Sequence, residues 1–157
     1  MGKQAHALEK REEAVQLNAA GIDQLAELLT RALGQAAVER KEVLRLRLAT
    51  EDILEVWHRN AEDGAICKFR CGTRWGRAYI ELLVPGQRVD PSEMAESGSE
   101  TILHSKLLAQ AGLAPVYSYQ DGMNRLAFYP PKPQRFGPLA QLLLAIAASA
   151  VCGLLCA

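Results

Sequence analysis

Ala65-Ile-Cys-Lys-Phe-Arg-Cys71, Gly72-Thr-Arg-Trp-Gly76 and Ala78-Tyr-Ile-Glu-Leu-Leu-Val84 follow one another almost without a break. The first and third pieces carry strand-forming residues, and the first alternates apolar with basic positions. The middle piece begins and ends in glycine, so the three read together as a β-hairpin. A spacing of four puts Cys67 and Cys71 on the same face of the first strand. Lys68, Arg70 and Glu81 line the other, solvent-facing side. A sheet with one wet face must bury its second face, which calls for helices elsewhere in the chain.

Helices are found upstream. Ile22, Leu25, Leu28, Leu29 and Leu33 repeat at helical spacing from Gly21 to Gly34, where glycine is a natural stop. A longer helix runs from about Glu39 to Asn60. Its broad apolar face holds Val43, Leu44, Leu46, Leu48, Ile53, Leu54, Val56 and Trp57. Before them, Met1 to about Glu13 reads as a charged helical start, and Val15-Gln-Leu-Asn18 as a short strand or the end of that helix. Downstream, Pro85 to Glu100 is a loop. Thr101 to Ala111 is a short helix with Ile102, Leu103, Leu107 and Leu108 inward. Val116–Gln120 and Arg125–Tyr129 form a second hairpin around Asp121-Gly122. The fold class expected is α+β: a two-layer sandwich of an antiparallel or mixed sheet with helices on one face.

Leu139 to Ala157 contains no charged residue and follows the basic, proline-broken segment Pro130-Pro-Lys-Pro-Gln-Arg-Phe-Gly-Pro138. At about 1.5 Å per residue, such a helix approaches the ~30 Å of bilayer hydrocarbon. A transmembrane helix is therefore expected over 139–157, preceded by a linker at 131–138, a folded domain at 15–130 and a charged segment at 1–14. Because the apolar run reaches the last residue, this helix is expected to be the first of several in a longer membrane protein, with a tail anchor as the alternative. Lys132 and Arg135 beside it, and the lack of an apolar signal core in the first twenty residues, place the domain on the cytoplasmic side of the membrane.

Eighteen basic residues balance eighteen acidic ones, and aromatic residues are few, so nucleic acid is not expected as a partner. Of the four cysteines, Cys152 and Cys156 lie in the apolar run. No CxxC pair exists, and His58 and His104 stand at no ligand spacing to them. Free thiols are expected, with no metal site. His6, His58 and His104 are scattered over separate elements and suggest no general base.

Leu44-Arg-Leu-Arg-Leu-Ala-Thr-Glu-Asp-Ile-Leu-Glu55, then a hairpin, then Val84-Pro-Gly-Gln-Arg-Val-Asp-Pro91, a helix and Tyr119-Gln-Asp-Gly-Met-Asn-Arg-Leu126, resembles in its order the histidine-kinase-like ATPase fold, closest to the anti-sigma-factor kinases. The resemblance covers Val15 to Tyr129. It implies a helix bearing Glu-x-x-x-Asn for magnesium and ATP phosphates, matched by Glu51 with Glu55 in place of the asparagine. It also implies an adenine-reading box, matched by Gly86 and Asp90. Val84 stands at the aspartate position of that box and Arg88 at its second glycine.

Glu51, Glu55, Gly86 and Asp90 are thus the candidate nucleotide-binding residues, in boxes too degraded to imply bound ATP and magnesium or catalysis. Such a domain ahead of a proline-rich linker and a membrane helix looks like the N-terminal extension of bacterial cation-coupled dicarboxylate and amino-acid symporters. The function expected is a non-enzymatic regulatory or interaction domain at the bacterial cell membrane, whose partners are the membrane and downstream transporter helices or another protein. The alternative is a membrane-attached, ATP-binding serine kinase of the anti-sigma type.

Overall fold

A computed structural model describes residues 8–91 and 113–131. Its elements follow the order β1 (Arg11–Gln16), α1 (Ala19–Gln35), α2 (Arg40–Asn60), β2 (Ile66–Arg74), β3 (Arg77–Pro85), β4 (Val116–Gln120) and β5 (Met123–Phe128). The strands form one sheet in the order β1-β2-β3-β5-β4, and all four pairings are antiparallel. The α+β class and the antiparallel sheet are as expected. The helix expected at 101–111 and the transmembrane helix expected at 139–157 lie outside the described residues. Among those described, no helix is long and apolar enough to cross a membrane.

The sheet is two-faced because its residues alternate. Val15, Cys67, Phe69, Cys71, Ile80, Leu82, Val84, Leu126 and Phe128 turn inward and are buried with Ile22, Leu25, Leu29 and Leu33 of α1. The other face carries Glu12, Lys68, Arg70, Tyr79, Glu81 and Arg125, which share it through the strand register. Cys67 and Cys71 are free, buried thiols on the inner face.

Local chemistry sets the helix ends. Asn18 caps α1, its side-chain oxygen accepting a hydrogen bond from the Gly21 N–H at 2.8 Å. Gly21 is required by contact: a Cβ there would sit 1.8 Å from the Gln16 carbonyl oxygen, where the helix crosses the end of β1. At the other end α1 runs past Gly34 to Gln35. It closes on Ala37 at φ 59°, with the Val38 N–H returning to the Leu33 carbonyl. In α2 the buried stripe is Val43, Leu46, Thr50, Ile53, Leu54 and Trp57. Leu44 and Leu48 were expected on the inner face but are 58% and 43% exposed. At about 100° per residue they fall on the opposite side of the helix.

Two further readings are corrected. Arg11–Glu13 is not the end of a charged helix but the start of β1, pairing with Phe69–Cys71 of β2. Its charges conceal the strand because Glu12 lies opposite Arg70 and binds it at 3.0 Å, so the polar face needs no apolar residue. The β2–β3 connection is also tighter than Gly72–Gly76. Both strands continue to a two-residue turn, Trp75-Gly76, at φ 49° and 70°. The second hairpin repeats this design with Asp121-Gly122 at φ 53° and 74°. Paired left-handed residues match the twist of antiparallel strands.

Candidate functional site

Glu51 and Glu55 are one turn apart on α2. Glu51 accepts from the Arg47 Nε at 2.9 Å, and Arg47 also donates to Glu27 of α1 at 2.6 Å. The guanidinium thus clamps the two helices, and its pKa is raised by the hydrogen bonds to Glu51 and then to Glu27. Glu55 is exposed. Counting about 100° per residue from the inward-facing Trp57, both carboxylates lie well round the helix from the sheet.

Gly86 and Asp90 belong to the segment that leaves β3. Gly86 stands at φ 137°; its N–H donates to the Gly122 carbonyl and its own carbonyl accepts from the Tyr119 hydroxyl, both at 3.0 Å. Asp90 binds Arg88 at 3.3 Å. The structure therefore groups Gly86 with Asp90 but does not aim Glu51 at them, because Glu51 is turned to Arg47.

What fixes this segment is a residue that the sequence reading placed in a turn. Asn124 of β5 is 3% exposed. Its Oδ1 accepts from the Val89 N–H at 2.9 Å and from the Tyr117 hydroxyl at 2.8 Å, while its Nδ2 donates to the Gln87 carbonyl at 2.8 Å. Trp57 completes the lock, donating its indole N–H to the Val89 carbonyl at 3.0 Å. The amide answers a donor and an acceptor of the segment after β3 with two separate atoms, Oδ1 and Nδ2, and an aliphatic group would leave both unpaired. Asn124 precedes the strand expected from Arg125, and extending the alternation of Leu126 and Phe128 back to it is the signal in the sequence that it faces inward.

The opposite end of the sheet is built differently. Around the β2–β3 turn lies an open cavity of about 660 Å³, bounded by Arg74, Trp75, Arg77, Tyr79, Glu81, Tyr129 and Pro131. The Arg74 guanidinium lies 5.4 Å from the centre of the Tyr79 ring, and that of Arg77 lies 5.2 Å from the Tyr129 ring. Such stacking orients a cation without neutralising it. Gly72 lets the Tyr79 ring lie flat on β2, since a Cβ there would be 3.0 Å from its hydroxyl. Glu81 is bound by Arg125, which also donates to the Tyr129 hydroxyl at 3.0 Å. Burial works to lower the Arg125 pKa, but these two partners outweigh it and the net shift is upward. Among the described residues, neither Arg74 nor Arg77 has a carboxylate partner, and no three His, Cys, Asp or Glu side chains meet to hold a metal.

No protein-family model matches this chain, and no curated protein aligns with it.

Proposed function

We propose that this chain is a non-enzymatic regulatory or interaction domain attached to the cytoplasmic face of a membrane, within a transporter of the cation-coupled dicarboxylate or amino-acid class. The observation that carries the non-enzymatic part is the fate of Glu51. A carboxylate that must orient a magnesium ion needs its oxygens turned to the phosphates, and Oε1 of this one is paired within α2 to Arg47, the guanidinium that also reaches across to Glu27 of α1. The segment holding Gly86 and Asp90 is likewise engaged, sealed to β5 and α2 by Asn124 and Trp57. The membrane part is supported by the nineteen uncharged residues from Leu139 to Ala157, with Lys132 and Arg135 just ahead of them.

Two measurements test the two parts. The full chain should remain with the membrane pellet after carbonate washing, and recovery in the supernatant would end the membrane reading. In detergent, calorimetric titration with magnesium and ATP should give no saturable heat. Saturable binding abolished by Glu51→Gln would instead restore the ATP-binding kinase.

A further inference from the structure

Trp75 is 93% exposed, which is unusual for the largest apolar side chain, and it occupies a left-handed backbone position at the tip of the β2–β3 hairpin. Asparagine or glycine fills that position with less strain, so the fold itself gives no reason for tryptophan. The residues on either side are not random. Arg74 and Arg77 flank the turn, each stacked on a tyrosine and each without a carboxylate partner among the described residues. One end of the sheet thus presents an indole, two phenol rings and two arginines held side by side.

The strand register brings the chain's exit to the same place. Ile80 pairs with Phe128, so continuing the ladder sets Tyr129 beside Tyr79, and Pro131 bounds the same cavity as Trp75. From Pro131 the sequence runs through Lys132 and Arg135 to the uncharged residues that begin at Leu139. The hairpin tip therefore stands where the chain departs toward its most apolar segment.

We infer that the Trp75 hairpin tip docks on the headgroup layer of an anionic phospholipid bilayer. Indole and phenol rings settle at the boundary between headgroups and acyl chains, and arginines beside them meet lipid phosphates. Among the described residues no carboxylate compensates Arg74 or Arg77, while Glu81 in the cavity wall is already neutralised by Arg125. The chain as a whole is neutral, so the attraction arises from where the charges sit rather than from their sum. This docking rests on the membrane attachment proposed above and adds a second contact to it, which would fix the orientation of the domain against the bilayer.

The test uses the full chain reconstituted into vesicles of phosphatidylcholine alone or mixed with phosphatidylglycerol. Trp57 and Trp75 are the two tryptophans, and Trp57 is buried, so the difference between wild-type and Trp75→Asn spectra isolates the tip. Asparagine suits the turn, so this variant keeps the hairpin. With phosphatidylglycerol, Trp75 should be shielded from acrylamide and quenched by lipids brominated near the headgroup. At roughly fivefold per basic side chain near an anionic leaflet, Arg74→Gln with Arg77→Gln should shift the docked-to-free ratio by about twenty-five-fold toward free. Equal acrylamide access in both vesicle types, or no response to the double substitution, would overturn the docking while leaving membrane attachment standing. A chain that does not float with vesicles at all would remove both. Shielding of Trp75 by a single-stranded oligonucleotide without lipid would reassign the surface and also overturn the proposal.

Discussion

Asn124→Ala should cost about 3 kcal/mol of stability, and the figure follows from the geometry. The amide makes three hydrogen bonds, to the Val89 N–H, the Gln87 carbonyl and the Tyr117 hydroxyl, from a side chain that is nearly fully buried. Each such bond contributes about 1 kcal/mol net, and more when a buried partner is left unsatisfied. Val89 is also held by Trp57, so the segment keeps one tether. That places the loss near the simple sum rather than far above it. Tyr117→Phe removes one bond and should cost roughly 1 kcal/mol. The double variant should cost less than the two single losses added, because both delete the same Tyr117–Asn124 contact. Urea unfolding in a Trp75→Phe background leaves Trp57 as the sole tryptophan, adjacent to the network. If Asn124→Ala costs under about 1 kcal/mol, or the double variant is strictly additive, the buried amide does not hold the segment after β3 and the argument is wrong.

Other substitutions probe the helices and the core. Gly21→Ala ordinarily favours a helix, but here the new Cβ meets the Gln16 carbonyl oxygen, so thermal unfolding should show a loss of roughly 1 to 3 kcal/mol. Thr50 is fully buried and its hydroxyl has no hydrogen-bond partner among the described residues; Thr50→Val should therefore raise the unfolding free energy measured in urea by about 1 kcal/mol, and a loss of stability would show that the hydroxyl is satisfied. Burial pushes the Cys67 thiol up from 9.0 to about 12, only partly offset by a backbone hydrogen bond from Leu83. Since the folded chain holds that proton more tightly than the unfolded one, the associated stability is whole below pH 9 and drains as pH climbs toward about 12. Unfolding midpoints should fall across that window, and peptide mapping should find Cys67 unlabelled by maleimide at neutral pH until urea is added.

The two hairpins and two helices were legible because each carries a strong local signal. Asp121-Gly122 between alternating runs and the five spaced apolar residues of α1 needed no partner to be recognised. β1 was only half legible. Arg11, Glu12 and Glu13 look like a solvated helix until Arg70 is placed opposite Glu12, and that pairing joins residues remote in sequence. Leu44 and Leu48 were misassigned for a related reason, since an apolar side chain states a preference for burial without guaranteeing a partner to bury it.

The same division holds for the candidate sites. Glu51, Glu55, Gly86 and Asp90 could be proposed from their order along the chain, but what Glu51 touches depends on how α1 packs beside α2. Asn124 and the Arg74–Tyr79 and Arg77–Tyr129 stacks gave no comparable signal, because their partners come from other strands and from the segment after β3. Local periodicity and turn chemistry determined α1, α2 and the two hairpins, together with the inward face of the β2–β3 pair. Which carboxylates are neutralised, and which cations and rings stand together at one edge, was decided by long-range strand register and helix packing, because a charge's effect depends on its distance from other charges in space and not along the sequence.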